Sequence, residues 1–152
     1  MKKQPTPLTP TVLRYNPLLE TLTQKVDSSK DYIPFKGLTP EQFILLFDNG
    51  YLDPRERQNN APTLKWIYNF IQNDLFNVDN MCLNAYFSGY RIANRDDARI
   101  SIEYIIIPSG RTDLLKKLKR FSPDTIRQID LSSDYYYFIV NKFMDYTECF
   151  WD

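Results

Sequence analysis

In the first half of the chain, apolar residues recur at the three- and four-residue spacing of amphipathic helices. Three helices are predicted, which begin near Asn16-Pro17, at Thr39-Pro40 and near Pro62-Thr63. The second is the best marked, because Thr39 is a favourable N-cap residue and Gln42 stands at the capping-box position. The third has the longest apolar stripe and is therefore expected to be buried centrally. This stripe consists of Leu64, Ile67, Tyr68, Ile71 and Leu75.

After Asn80 the pattern changes to the alternation and the β-branched, aromatic composition of strands. Residues 81–92 and 99–107 predict two strands joined by a hairpin loop at 93–98. A fourth helix is predicted over 112–121, capped by Thr112, and a short helical turn over 122–129. The run Tyr-Tyr-Tyr-Phe-Ile-Val at 135–140 predicts a third strand, and residues 143–152 form an aromatic, acidic tail.

The predicted order α-α-α-β-β-α-β indicates a single α+β domain over residues 13–152. We expect the N-terminal helices to pack on one face of a small mixed sheet. If the second and third strands run parallel, the crossover through the fourth helix is right-handed. Residues 1–12 contain three prolines and few apolar anchors, which predicts a flexible arm.

The chain contains no histidine, and this absence excludes several classes of catalytic site. Ser-His-Asp triads, Cys-His dyads and zinc sites with a histidine ligand all require that side chain. The two cysteines, Cys82 and Cys149, cannot supply a four-cysteine metal site within one chain. No glycine-rich phosphate-binding motif is present either. The sequence therefore predicts a protein that is not an enzyme and has no metal or cofactor.

The net charge of zero, from 19 basic and 19 acidic residues, conceals two oppositely charged segments. Residues 111–123 have five bases against the single acid Asp113, a local charge of +4. Residues 124–152 have six acids against Arg127 and Lys142, a local charge of −4. Opposite charges at separate surfaces would orient the chain during association with another protein.

Aromatic residues are abundant, with 11 Tyr, 10 Phe and 2 Trp, and many lie in the acidic segment. Tyrosine and tryptophan are enriched in protein–protein interfaces, so this segment predicts a partner-binding surface. Successive residues of a strand face opposite sides, which predicts that Tyr136 faces away from Tyr135 and Tyr137. The alternative is that the rings line a core. The candidate contact residues are Tyr135, Tyr136, Tyr137, Asp145, Tyr146, Glu148, Phe150 and Trp151.

Two other functions have candidate residues. The basic face of the fourth helix predicts contact with phosphate or an acidic partner, and the chain would then be a nucleic-acid-associated protein that also uses Arg91, Arg95 and Arg99. The basic candidates are Arg111, Lys116, Lys117, Lys119 and Arg120. A metal-dependent nuclease could use Asp96, Asp97 and Glu103, but Ile105 stands where one nuclease pattern has a lysine.

The favoured hypothesis is a non-enzymatic protein-binding module of the inhibitor or immunity type, which acts by occupying the surface of another protein. The expected partner is a protein with a basic or mixed surface, and nucleic acid is the second choice. Neither a signal peptide nor a run of about 18 apolar residues is seen, which predicts a cytoplasmic protein without a membrane partner. The absence of a secretory signal also favours reduced thiols.

Overall fold

A computed structural model describes residues 17–24, 29–76, 84–94 and 99–152. The predicted arm, Cys82, Arg95, Asp96 and Asp97 lie outside these ranges. The helices are α1 (Pro17–Thr23), α2 (Pro40–Asp48), α3 (Leu64–Phe70), which a π-helical turn at Ile71–Leu75 continues, and α4 (Thr112–Lys119). The strands are β1 (Tyr32–Leu38), β2 (Tyr86–Ile92), β3 (Ile100–Pro108), β4 (Thr125–Gln128) and β5 (Tyr146–Phe150).

The five strands form one sheet in the order β1-β2-β3-β5-β4, and helices precede and follow strands, which confirms the α+β class. Each of the four pairings in the described residues is antiparallel, so the expected mixed sheet is corrected. The parallel partner expected for β3 was the run at 135–140. Instead, the strand that lies beside β3 in the sheet is β5, and β3 and β5 run antiparallel.

The helices cover one face of the sheet, which we call the first face, as the apolar periodicity of the sequence indicated. The Thr39 side chain accepts a hydrogen bond from the Gln42 backbone N–H at 3.2 Å, and the Gln42 side chain accepts one from the Thr39 N–H, which completes the capping box. The Thr63 side chain caps α3 by accepting a hydrogen bond from the Trp66 N–H at 3.1 Å. The first core includes Phe43, Leu46, Leu64, Ile67, Ile71, Leu75, Phe87, Ile102, Ile105, Leu114 and Leu118.

Three predicted elements differ from the observed ones. The run at 135–140 is no strand, because Ser133 caps a short 3-10 turn at Asp134–Tyr136. Residues 125–128 form an edge strand rather than a helical turn, and the aromatic tail contains β5. β1 was not predicted, because Pro34 and Gly37 are unusual in strands, yet an edge strand tolerates both.

The second face of the sheet is covered by the chain between β4 and β5. Its core consists of Tyr86, Ile106, Ile129, Tyr136, Ile139 and Tyr146. The cover extends as far as β1, where Gly37 has φ of +77° and a Cβ atom would lie 2.5 Å from the Phe138 ring. A glycine is therefore required at this position for both its conformation and the close packing of the ring.

Candidate partner-binding surface

The β4–β5 connection (residues 129–145) folds locally through short polar side chains. The Ser133 hydroxyl accepts a hydrogen bond from the Tyr135 N–H at 3.3 Å and begins the 3-10 turn. The Asp130 carboxylate accepts one from the Ser132 N–H at 3.0 Å. Such side-chain contacts compete with strand pairing and favour turns. The turn directs Tyr136 inward, and Tyr135 and Tyr137 outward, so their opposite orientation is confirmed although the strand is not.

A buried polar network fixes the connection to the sheet. Glu148 on β5 is only 1% exposed, and its Oε1 accepts a hydrogen bond from Arg127 Nε at 2.9 Å. The Tyr136 hydroxyl donates to Glu148 Oε2 at 2.9 Å and accepts from Arg127 Nη2 at 3.0 Å. A buried carboxylate is destabilising unless its oxygens are paired. Because Arg127 and Tyr136 supply those partners, Tyr136 is held in a fixed position over the sheet.

Burial, followed by the hydrogen bond to Glu148, raises the pKa of Tyr136 to about 12. The hydroxyl is therefore protonated at neutral pH and available as a donor to the carboxylate.

A second anchor holds the end of the connection nearest β5. The Tyr146 hydroxyl is buried and donates to the Asn141 carbonyl at 3.0 Å. The Asn141 side chain in turn accepts from the Phe143 N–H at 3.0 Å. Burial, followed by the nearby Tyr86, raises the pKa of Tyr146 to about 12. The turn that bears Phe143 is thus tied to a protonated, buried tyrosine.

Between these anchors, four large apolar side chains point into solvent. Tyr135 is 38% exposed, Tyr137 70% and Val140 87%, and Phe143 is fully exposed. Only two other large hydrophobic residues in the described part of the chain are exposed, Tyr32 and Ile126. The exposed carboxylates of Asp134 and Asp145 lie at the two ends of this stretch. We call Tyr135, Tyr137, Val140 and Phe143 the aromatic surface.

A cleft of about 430 Å³ lies beside the aromatic surface, between the connection and β4. Tyr104, Arg127 and Tyr135 contribute to its wall. Burial, followed by the charge of Tyr104, raises the pKa of Tyr135 to about 12. The ammonium of Lys36 on β1 lies 3.8 Å from the centre of the Tyr135 ring. A cation over an aromatic face is attracted to it, so this contact restrains the ring.

The structure removes four of the eight predicted contact residues from the accessible surface. Tyr136, Tyr146, Glu148 and Trp151 are buried, and the Trp151 indole N–H donates to the Phe121 carbonyl at 3.0 Å. Tyr146 and Glu148 lie on β5, which pairs with β3 on one side and β4 on the other, and Trp151 directly follows this strand. Tyr136 is buried because the connection places it over the sheet, against Glu148.

The other four predicted contact residues keep some accessibility. Phe150 is half-buried and stacks on Tyr104 with ring centres 4.7 Å apart. Tyr135, Tyr137 and Asp145 are exposed.

Sequence reasoning missed Val140 and Phe143. Val140 was assigned to the predicted strand at 135–140. The residues around Phe143 show neither the helical nor the strand spacing of apolar positions. Asn141 is the available signal, because asparagine two residues before a ring commonly forms a side-chain-to-backbone turn that projects the following residues. Arg127, which pairs with the buried carboxylate of Glu148, was also not among the predicted site residues.

Three of the basic candidates, Lys116, Lys117 and Lys119, lie on α4, and Arg111 and Arg120 flank it. Two of the five are paired. Arg111 forms two bonds to Asp113, at 3.0 and 2.8 Å, and Lys117 Nζ lies 2.5 Å from Asp74 Oδ1. Lys116, Lys119 and Arg120 are exposed. The exposed basic surface therefore consists of three side chains, and not of the five that the sequence indicated.

Two of the three arginines proposed to assist nucleic-acid binding, Arg91 and Arg99, are engaged in the fold, and Arg95 lies outside the described residues. Arg91 is buried and donates to the carbonyls of Thr21 and Gln24 at the end of α1, where carbonyl groups lack helical partners. Arg99 pairs with Glu56 at 3.0 Å.

The nuclease candidates are only partly described. Glu103 is half-buried, and burial followed by the charge of Asp152 raises its pKa, whereas Asp96 and Asp97 lie outside the described residues. No group of three or more potential metal ligands occurs in the described ranges. Cys149 is a buried free thiol whose pKa burial raises to about 11, with Glu148 as the next cause.

Comparison of the chain with protein-family models, curated proteins and solved structures gives no match. Among the described residues, no helix has the length and apolar character needed to cross a membrane.

Proposed function

We propose that the chain is a non-enzymatic protein-binding module of the inhibitor or immunity type, which occupies a partner's surface through the aromatic surface. The observation that carries the proposal is that Tyr137, Val140 and Phe143 are exposed on a connection anchored from below by buried tyrosines. A backbone that is already held in position loses little conformational freedom on binding, which favours affinity. We place this activity in the cytosol of a microbial cell.

The charge around the aromatic surface supports a partner with a basic or mixed surface. Asp134 and Asp145 are exposed at its two ends, and Glu148 is already paired with Arg127. Acidic groups at the rim increase the association rate with a basic partner and disfavour acidic ones. The exposed Lys142 lies between Val140 and Phe143, so the surface carries both signs of charge and can also contact an acidic group of a mixed partner surface.

The experiment that tests the proposal is affinity capture from the native host with three forms of the full chain. The wild type and Tyr32→Ser should retain the same partner, because Tyr32 is an exposed ring on β1, outside the aromatic surface. The double variant Tyr137→Ser, Phe143→Ser should lose it. Truncation of one interface anchor typically costs at least about 2 kcal/mol of binding free energy, or about 30-fold in Kd.

Calorimetric titration of the purified partner then gives the decisive values. Equal affinity for the wild type and the folded double variant would refute the proposal. Asp134→Lys and Asp145→Lys should mainly slow association and change its salt dependence, since both side chains are exposed rim charges.

We retain nucleic-acid binding as a second candidate, on a separate observation. The exposed Arg120 borders a cavity of about 190 Å³ that Trp66 and Phe121 also line, so a cation lies beside aromatic rings. Retention on single-stranded DNA or RNA that falls with salt, and is lost in Lys116→Glu, Arg120→Glu, would favour this function. Retention that these substitutions do not change would reject it.

A further inference from the structure

The sheet has two edges, and only one of them offers an uninterrupted backbone. At the β1 edge, Pro34 lacks an N–H and the register with β2 shifts between Phe35 and Leu38. Proline and bulges both block the addition of another strand. The β4 edge has neither, because Thr125–Gln128 pair with β5 in continuous register and all four residues are exposed. Within the described part of the chain, β5 is the only strand that pairs with β4.

The outward backbone groups of β4 can be assigned from the ladder. The Ile129 N–H donates to the Tyr146 carbonyl at 3.0 Å, so the backbone of residue 129 is directed toward β5. In an antiparallel pair the direction alternates along the strand. Residues 125 and 127 are therefore also directed inward, and the N–H and C=O groups of Ile126 and Gln128 are directed outward. The alternation begins at Thr125, because the Asp124 N–H also donates to the Phe150 carbonyl, at 2.7 Å, and is not directed outward. Two donors and two acceptors are available there to an added strand.

The side chains at this edge favour an apolar centre between acidic ends. Ile126 is 41% exposed, while the charge of Arg127 is paired with Glu148. Exposed carboxylates flank the strand, with Asp124 on one side and Asp130 on the other. One Asp124 oxygen accepts a hydrogen bond from the Asp152 N–H at 2.7 Å, and one Asp130 oxygen accepts from Ser132. Five residues lie between the two acids, and the six steps of extended chain span about 20 Å.

We propose that the β4 edge binds an extended segment of a partner protein as a sixth strand, with an apolar residue against Ile126 and a basic residue near each of Asp124 and Asp130. This proposal rests on the proposed protein-binding function and names a second contact and the chemistry of the partner segment. Backbone bonds supply the affinity in such strand addition, and the alternate side chains supply the specificity.

A second copy of the chain fits this edge poorly. Two antiparallel β4 strands use all of the outward groups when Ile126 of one faces Gln128 of the other. That register places Asp124 of each copy opposite Asp130 of the other. Like charges directly opposite each other destabilise strand pairs. Charge therefore selects a basic partner segment over self-association.

The test uses the full chain and two synthetic peptides that differ only in their end charges. The probe is Lys-Thr-Val-Thr-Val-Thr-Lys with blocked ends, and its matched control has Glu in place of both Lys. The probe should bind, slow the amide exchange of Ile126 and Gln128, and bind at least about tenfold more tightly than the control at low salt. Equal affinity for the two peptides, or no protection of these amides at saturation, would overturn the proposal.

Two variants separate the backbone from the charge contribution. Ile126→Pro removes an outward N–H and should abolish binding of the probe. Because a proline could disturb folding, Asp124→Asn, Asp130→Asn provides a second test that keeps most hydrogen bonding. It should lower the affinity for the probe at least about fivefold. The matched control Glu20→Gln, Glu41→Gln neutralises two exposed carboxylates on α1 and α2 and should leave the affinity unchanged.

Amide protection of Ile126 that rises with protein concentration, without peptide, would overturn the proposal in favour of self-association. The outcome is distinguishable from the test of the proposed function. A failed peptide titration together with partner loss in Tyr137→Ser, Phe143→Ser would reject the edge contact and leave the aromatic surface intact.

Discussion

The two faces of the sheet are both buried, but by different means. The first face lies under four helices and is closed by aliphatic and phenylalanine side chains. The second lies under the irregular β4–β5 connection and relies on three tyrosines and a carboxylate that are hydrogen-bonded inside. A helix can bury a continuous stripe, whereas the irregular connection buries some side chains and exposes their neighbours. The second cover therefore both closes a core and displays the aromatic surface.

The largest expected effects come from Ile102→Ala and Ile106→Ala, which empty matched sites on the two faces of β3. Both side chains are 1% exposed, one in each core. Each substitution should lower the free energy of unfolding by about 2–5 kcal/mol. Denaturant titration measures both. A loss below about 1 kcal/mol for Ile106→Ala alone would show that the second face is only loosely covered.

Gly37→Ala should destabilise the fold by about 2–4 kcal/mol, from the left-handed backbone and the clash with the Phe138 ring. Gly110→Ala is the matched control, since a Cβ there meets no atom within 4 Å. Thermal unfolding should show a lower Tm for the first variant and little change for the second. Equal Tm values would mean that the connection does not pack against β1.

Tyr136→Phe should lower the free energy of unfolding by about 1–3 kcal/mol, because it leaves a buried Glu148 oxygen without its donor. The effect should also depend on pH. The pKa of Tyr136 is raised to about 12 in the folded state from about 10 in the unfolded state. This contribution is complete below pH 10 and is lost as the pH rises to about 12.

Denaturant titrations between pH 9 and 12 measure that difference. The wild type should lose stability more steeply than Tyr136→Phe across the interval, since the variant lacks the titrating hydroxyl. Parallel curves would contradict the assignment of this hydroxyl to the buried network.

Tyr137→Ser and Phe143→Ser should have the smallest effects on stability, within about 0.5 kcal/mol, because both rings are exposed. Thermal unfolding beside binding measurements separates the two roles. A fall in Tm comparable with that of Ile106→Ala would place these rings in the core and remove them from the proposed contact surface.

The difference between the faces also explains what could be predicted from the sequence. The capping box of Thr39 and Gln42 and the stripe through Ile67 and Ile71 are local signals, and the helical face follows from them. Tyr136 has the β propensity of a strand residue, but its structure depends on Glu148, twelve residues away, and on the Ser133 cap. No local period encodes such a contact.

The residues of the candidate site could likewise be predicted from the sequence only in part. The acidic, aromatic character of the segment was visible in the sequence, and it indicated Tyr135, Tyr137 and Asp145, which are exposed. The position of β5 determines which rings turn inward. The burial of this strand could not be recognised from the sequence, because the strand contains the charged residue Glu148. A carboxylate at a buried strand position is recognisable only when its partner, here Arg127 on the neighbouring strand, is known.

The β4–β5 connection is a fixed part of the folded core and not a peripheral loop. Native-state hydrogen exchange at the Ile139 amide tests it most directly, because this N–H donates to the Tyr136 carbonyl at 3.0 Å within the second core. This amide should exchange with an opening free energy close to that of the β2 and β3 amides. Exchange at the rate of an open loop, while the strand amides remain protected, would contradict it.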